Sequence, residues 1–435
     1  MSKTRKLTVV NEAWNALFKK HNLLKKIDAD GFVSISAKQI KVFREPRLMV
    51  KFDSKRLLPD IFVKNHLSIL PISRNEYRIF RADPYHNLEE VEGRVEKVEM
   101  PKNLQTLSAA AINSESIAIN CAMASGILSD FLDEERLTAT ISGRIGSPNF
   151  DFRIRDVNKN DHWIRVQKAQ LEIDSTVEGV GSIAVIEAKR EVLPDFMVRQ
   201  LYYPYRLLKG KESVTKKVRP VFLIYSNGLF FLYEYKFDDL NRYDSIRLVR
   251  SKRYSIEDTT VQLDDVCSLL GEIKRCVKEP RIPFPQADSF ERVVNLCELL
   301  SGRELTFEEI TNEYTFDMRQ AHYYVAAARY LGLVSQVWQG CDTAFALSSR
   351  CREILKRPYK DRQLDFCRCI LEHRVFNQSF RLLCDKGAIP EVEEVVRIMK
   401  RCKLYNVNSE VTYGRRARTV IAWLRWIYKL ASTEE

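Results

Sequence analysis

Residues Gln170 to Glu191 read QLEIDSTVEGVGSIAVIEAKRE, a run with an acid at Asp174 and, 13 residues on, the triplet Glu187-Ala188-Lys189. Both halves are rich in β-branched residues and alternate in polarity, so each reads as a strand, with the glycines of VEGVGS as a tight connection. Side chains two apart on a strand share a face, which groups Gln170, Glu172 and Asp174 on the first strand and Val185, Glu187 and Lys189 on the second. If the two strands are neighbours, Asp174 and Glu187 converge on one point with Lys189 beside them. Converging carboxylates repel unless a cation sits between them, and oxygen-only ligation suits Mg2+, which keeps waters for a substrate phosphate. A pure cation site has no use for an ammonium group. A site that orients or deprotonates a water, or steadies negative charge developing on phosphorus, does. Phosphodiester hydrolysis uses all three elements; the bland alternative is a salt-bridged pair of strands in which Lys189 neutralises Glu187.

Such a site needs a rigid mount, and the rest of the chain reads as one. At 435 residues and 45% hydrophobic, the chain is long enough for two or three domains with real cores. The first region, 1–105, mixes a leading helix (NEAWNALFKKHNLLKKI) with short strands at GFVSISAKQI and HLSILPIS, and its loops carry Arg44 and Arg47. The second, 106–280, opens on a helix in INSESIAINCAMASGILSDFLDEE with Asn113 or Ser114 as N-cap. TISGRIGSPNFDFRI, the acidic stretch, a helix around DFMVRQLYYPYRLLK, and the strands RPVFLIYSN and LFFLYEYKF follow, the last two joined by an Asn227-Gly228 hairpin turn. That order predicts a mixed-sheet α/β core.

The prolines of RIPFPQADSF mark a linker at 281–286, after which the chain reads as helical. In 281–350, LTFEEITNEY, a four-residue turn, a helix from Met318 to Leu331 and a strand-like LVSQVW follow the winged-helix order. A comparable helical or winged set is expected over 351–435, with Arg415, Arg416 and Arg418 at the start of its last helix, where such modules touch phosphates and bases.

Charge points to a polyanion. Of the net +12, residues 1–60 carry +8 and residues 350–435 another +8, which leaves the centre at −4: basic flanks to grip a backbone, and carboxylates kept in the middle. The ten cysteines form no paired CxxC, Cys367-Arg-Cys369 is too tight for usual zinc spacing, and histidines number only six, so reduced, buried thiols are expected. No apolar run approaches the roughly 20 residues that span a bilayer and no secretory leader is evident, so a cytoplasmic protein without a membrane partner is expected.

Asp174 with Glu187-Ala188-Lys189 resembles the motif of the PD-(D/E)XK nuclease superfamily, and EID…EG…IEAK…RQLYYPYR resembles a group of bacterial type II restriction endonucleases. Ile173 stands where the motif has its proline. The segments ISAKQIKVFREPRLMVKFD, NHLSILPISRNEYRI and SGRIGSPNFDF resemble the amino-terminal part of that group, and RRARTVIAWLRWI its appended winged-helix modules. The resemblance implies that Asp174 and Glu187 ligate Mg2+ with the Ala188 carbonyl, and that Lys189 positions or activates the attacking water. It also implies an extra acid from the preceding helix, for which Glu115 is best placed, and a glutamine on the following helix, Gln200; Glu115 is equally an ordinary first-turn glutamate. Glu172 is open between ligand, neighbour of the ligands and bystander. Arg44, Arg47 and Arg144 are candidate DNA contacts, since loop arginines pair bidentately with guanine or phosphate, or else with local acids. The expected function is therefore sequence-specific cleavage of duplex DNA by a homodimer, one centre per strand, alongside a DNA methyltransferase that protects the host. A winged-helix regulator with a degenerate nuclease core, and a structure-specific repair nuclease, are the alternatives.

Overall fold

The computed structural model describes residues 9–91, 93–108, 112–257, 260–313, 318–339 and 342–431. Its frame is a seven-stranded sheet of β1 (Val95–Lys97), β2 (Thr138–Ala139), β3 (Ser175–Glu178), β4 (Ser182–Lys189), β5 (Lys217–Ser226), β6 (Leu229–Phe237) and β7 (Ile246–Ser255), in the spatial order β1-β7-β6-β5-β4-β3-β2. β4 runs parallel to β5 and β7 to β1, and the other pairs are antiparallel, so the sheet is mixed as expected. β4 and β5 are covered on both faces, which is why they read as near-continuous apolar runs. The β5–β6 turn forms as predicted, Asn227 (φ 51°) and Gly228 (φ 80°) both adopting the positive φ that such a turn requires. β7, IRLVRSKRYS, does not read as a strand because of its charges. They are satisfied across the sheet and from the covering helices, Arg250 by Glu234 and Asp133, and Lys252 by Asp130 and Glu96.

Two helices, α1 (Glu115–Ala124) and α2 (Ile127–Leu132), bury Ala118, Ile119, Phe131 and Leu132 on one face of the sheet against Ala184, Ile186 and Leu223. Ser114 is the N-cap of α1, its Oγ accepting from the Ile117 N–H at 3.2 Å. The opposite face takes α3 (Arg199–Lys209), whose Leu201, Tyr202 and Tyr203 are buried in one continuous core with Val185 and Phe222. Trp14, Ile35, Phe62 and Ile79 belong to that same core, so the amino-terminal region is fused to the sheet and residue 105 divides no core. Its leading helix is two, Val9–His21 and Leu23–Asp30, broken where Asn22 turns to φ 51°.

A third core is entirely separate and belongs to the carboxy-terminal half, from Val261 to Ile427. RIPFPQADSF is not a linker: Phe284 and Ala287 are buried in this core, and the Trp423 indole donates to the Ala287 carbonyl at 2.7 Å. The chain crosses between bodies further back, between Ser255 and Val261, because helix α4 (Leu263–Glu272) already packs with the later helices. Then come α5 (Phe290–Leu299), β8 (Leu305–Thr306), α6 (Phe307–Glu313), α7 (Met318–Tyr330), β9 (Val334–Gln339) and β10 (Asp342–Leu347), the strands ordered β8-β10-β9. The turn expected after LTFEEITNEY, and Cys341, lie outside the described residues. The rest is α8 (Ser349–Lys356), α9 (Tyr359–Leu371), α10 (Arg374–Lys386), α11 (Val392–Arg401) and α12 (Glu410–Ala431), with no strand after Leu347 among the described residues. Of the helical or winged set expected over 351–435, the structure has the helical form: Ser409 Oγ accepts from the Thr412 N–H at 3.3 Å and starts α12 there, drawing Val411 to Tyr413 into it.

Candidate active site

The acidic stretch splits at Asp174. Gln170–Ile173 does not continue β3; it pairs with Gly143–Gly146 in a ribbon of its own, and the chain bends at Asp174 before β3 joins β4. The expectation that Gln170, Glu172 and Asp174 share a strand face is thus corrected. In the β3–β4 ladder Gly179 bonds to Ser182, so every second residue of β4 up to Ala188 turns its N–H and C=O toward β3. Opposite Ala188 the ladder has already forked, and the Asp174 carboxylate takes the place of a ladder carbonyl, accepting the Ala188 N–H at 2.9 Å. The Ala188 carbonyl points to the same open side. Glu172, by contrast, is exposed on the ribbon opposite Arg144, with 3.7 Å between the charged atoms. Both side chains stay exposed.

The turn ahead of β4 is fastened from outside. Glu134 accepts from the N–H of Val180 at 3.0 Å and of Gly181 at 3.1 Å, and from the Ser182 hydroxyl at 2.8 Å. A Cβ at Gly179 would lie 2.5 Å from the Glu134 carboxyl carbon, which explains the glycine. With β4 so fixed, Glu187 and Lys189 project from its carboxy-terminal end toward α3. The Lys189 ammonium donates to Glu187 Oε1, and Gln200, in the first turn of α3, donates to the same oxygen at 2.5 Å. Just ahead of α3, Phe196 stacks on Phe222 of β5 with ring centres 4.4 Å apart. Glu115 comes in from the first turn of α1, its carboxylate 4.0 Å from Lys189 Nζ.

Asp174, Glu187, Lys189, Glu115 and Gln200 are therefore neighbours, with Glu187 and Lys189 only 9% and 14% exposed at the side chain. Burial pushes the Glu187 carboxyl up to about 8; Lys189 pulls it back and Asp174 adds to the rise. Burial also raises Glu115. Lys189, which burial alone would lower, is carried above its ordinary value by Glu187, Glu115, Asp53 and Asp174. The cluster thus has more carboxylates than cations and keeps a proton in place of the missing charge.

Asp53 was not legible as a site residue. It lies in the first region, and its carbonyl accepts from the Met197 N–H at 3.0 Å while the Lys55 N–H donates to Asp195 at 2.8 Å, which straps that region beside the start of α3. No motif marks it; only tertiary packing brings it near.

The arginines proposed for DNA are spread out. Arg47 is exposed on the short Pro46–Val50 helix, and Arg44, half-buried before it, faces Glu308 of α6 at 3.5 Å. Arg415 and Arg418 are exposed on α12. Arg416 is committed inward: it is half-buried and donates to the Phe284 carbonyl, because it ties α12 to the 281–288 segment.

Among the described residues no group of three or more His, Cys, Asp or Glu side chains is arranged to hold a metal ion. The cysteines described are free thiols, but only Cys121, Cys297, Cys351, Cys367 and Cys369 are buried; Cys276 and Cys402 are half-buried and Cys267 and Cys384 exposed, so the expectation of buried thiols is corrected for these four. Two carboxylates and a carbonyl with water would meet the modest protein ligation Mg2+ asks for. One feature fits a cation here: Gln200 Oε1 is buried without a partner beside Glu187. Among the described residues no helix is long and apolar enough to cross a membrane.

Three family models, each described as a domain of unknown function, match successive segments: DUF6996 over residues 11–79, DUF6997 over 80–255 and DUF7226 over 292–432. No curated protein and no solved structure is matched. The middle segment contains the whole seven-stranded sheet and every one of the five clustered site residues, whereas Asp53 falls in the first.

Proposed function

We propose that this chain is a Mg2+-dependent endonuclease that cuts duplex DNA at a specific sequence, in the manner of type II restriction enzymes. The observation that carries the reading is the meeting of Asp174, Glu187 and Lys189 at the fork beside β4, with Glu115 and Gln200 around them. A bound Mg2+, held by Asp174, Glu187 and the Ala188 carbonyl, would supply Lewis acidity and charge at the scissile phosphate. Lys189, kept protonated by its ring of carboxylates, serves as a charged donor that orients water and steadies the developing negative charge, rather than as the base. The order α5, β8, α6, α7 and the β9–β10 hairpin supports a winged-helix module for DNA, and exposed Arg47, Arg415 and Arg418 supply phosphate contacts. Two strands to cut imply a homodimer on DNA and a companion methyltransferase in a cytoplasmic restriction system.

One observation favours a second reading. Glu187 is already satisfied by Lys189 and Gln200, which suits a degenerate core kept by a winged-helix regulator. Incubating the protein with mixed plasmid DNA and Mg2+ separates the two. Discrete fragments, whose sequenced ends give site and stagger, support the endonuclease; intact DNA with retained binding overturns it. Heterogeneous ends, or cutting only of branched substrates, would move the assignment to a repair nuclease.

A further inference from the structure

Two of the clustered groups, Glu115 and Lys189, line a cleft whose outer wall does not belong to the sheet. Glu115, Lys189, Arg190 and Glu191 line one side; Asn295, Glu298 and Leu299 of α5 line the other, around a space of about 90 Å3. That space takes several waters but no duplex, whose major groove alone is about 12 Å wide.

How α5 is held there is informative. No apolar core runs across the boundary, the carboxy-terminal core being separate from both cores of the sheet. The joint is polar. Asn295 accepts the Val192 N–H at 3.1 Å and donates to Ser226 Oγ at 2.5 Å. Glu298 accepts the Asn227 N–H at 3.1 Å and the Asn295 amide at 3.0 Å, and the Asn227 and Gln363 carboxamides exchange hydrogen bonds at 3.0 and 2.8 Å. The Tyr359 N–H donates to Glu257 at 2.6 Å. Contacts of this kind can be traded for water with little net cost, whereas a shared apolar core cannot, and polar interdomain joints are those expected to open.

We propose that the carboxy-terminal helical module is a gate: docked as here it closes the cleft over Lys189, Glu298 is its latch on the β5–β6 turn, and duplex DNA enters only when the module swings off that turn. The proposal rests on the endonuclease reading for the identity of what enters. The latch itself is tested without it.

The test is amide hydrogen exchange at Val192 and Asn227, read by mass spectrometry on the full chain, alongside DNA cleavage in Mg2+. Glu298→Ala removes the acceptor of the Asn227 N–H; exchange at both amides is expected to rise at least tenfold and cleavage to speed up several-fold. Glu298→Gln keeps an acceptor oxygen and is expected to fall between. Adding duplex DNA to the unaltered protein without Mg2+ is expected to raise exchange at the same two amides. That last arm carries the test if Glu298→Ala fails to fold. Unchanged exchange in the variant, slower or unchanged cutting despite faster exchange, or protection gained on adding DNA, each overturns the gate while leaving the endonuclease reading in place. Faster exchange in a Glu298→Ala protein that, like the unaltered one, neither binds nor cuts DNA upholds the latch and overturns the endonuclease reading.

Discussion

Lys189 and Glu187 each carry a prediction that differs from that of a simple salt bridge. Lys189→Ala should keep DNA binding and lower cleavage about 100-fold or more, the scale seen when one donor to a developing charge is removed; full activity in that variant rejects the site. Glu187 titrates near 8 in the folded chain against 4.5 for the free side chain, so below about 8 it holds a proton that Mg2+ must displace. Apparent Mg2+ affinity should therefore rise by up to about tenfold per pH unit as pH approaches 8 and level off above it, with proton release visible by calorimetry in buffers of different ionisation enthalpy. The linkage to stability has the opposite sign. A raised carboxyl favours the folded state fully below about 4.5, and that contribution is lost as pH climbs through 8, so the metal-free protein should soften over this window and Mg2+ should restore it. A Glu187→Gln protein should show neither dependence. An affinity independent of pH would mean that Glu187 is not the ligand.

At the scale of elements, the fork at Asp174 is the device that makes the cluster. A continuous strand would have spent the Ala188 N–H and C=O on a ladder; the departure of Gln170–Ile173 toward Gly143–Gly146 frees one edge of β4 where the acids converge. Asp174→Asn keeps an oxygen for the Ala188 N–H and should leave thermal stability nearly unchanged while abolishing Mg2+ binding. Asp174→Ala orphans that N–H and should cost about 1–3 kcal/mol in addition, measurable by chemical denaturation. Equal stability of the two would show that the carboxylate does not hold the fork. Spacing and residue type made Asp174, Glu187 and Lys189 legible, because a strand repeats every two residues and their chemistry is distinctive. The fork was not, since alternation continues through Asp174 and only the choice of pairing partner breaks the strand. β7 was missed because its charges find partners on other strands and helices, and Asp53 because nothing local brings it near Glu187 and Lys189. The proline-rich 281–286 segment misled in the other direction: composition marks a connector, but Phe284 and Ala287 are core.

The whole molecule is two bodies by the measure of its apolar contacts. The amino-terminal region and the sheet share a core around Trp14, Val185 and Phe222, and the sheet's other face is covered by its own helices, whereas the apolar residues from Val261 onward cluster in a core of their own. A cooperative transition spreads as far as a continuous core does, and a polar joint of a few hydrogen bonds couples its sides weakly. Calorimetric unfolding should accordingly resolve two transitions, one for the sheet with its amino-terminal region and one for the helical module. Gly228 provides the handle to separate them. It sits at φ 80° on the turn where the module docks, and a Cβ there would run into the Arg362 guanidinium and come within 3.0 Å of the Tyr359 ring. Gly228→Ala should therefore cost the sheet about 1–3 kcal/mol through the strained turn and also push the module away. The sheet's transition should move to lower temperature and the module's should stay near that of a free body, widening the gap between them. A single transition that moves as one in the variant would show that the two bodies unfold together, and that the joint at the β5–β6 turn is stronger than its hydrogen bonds suggest.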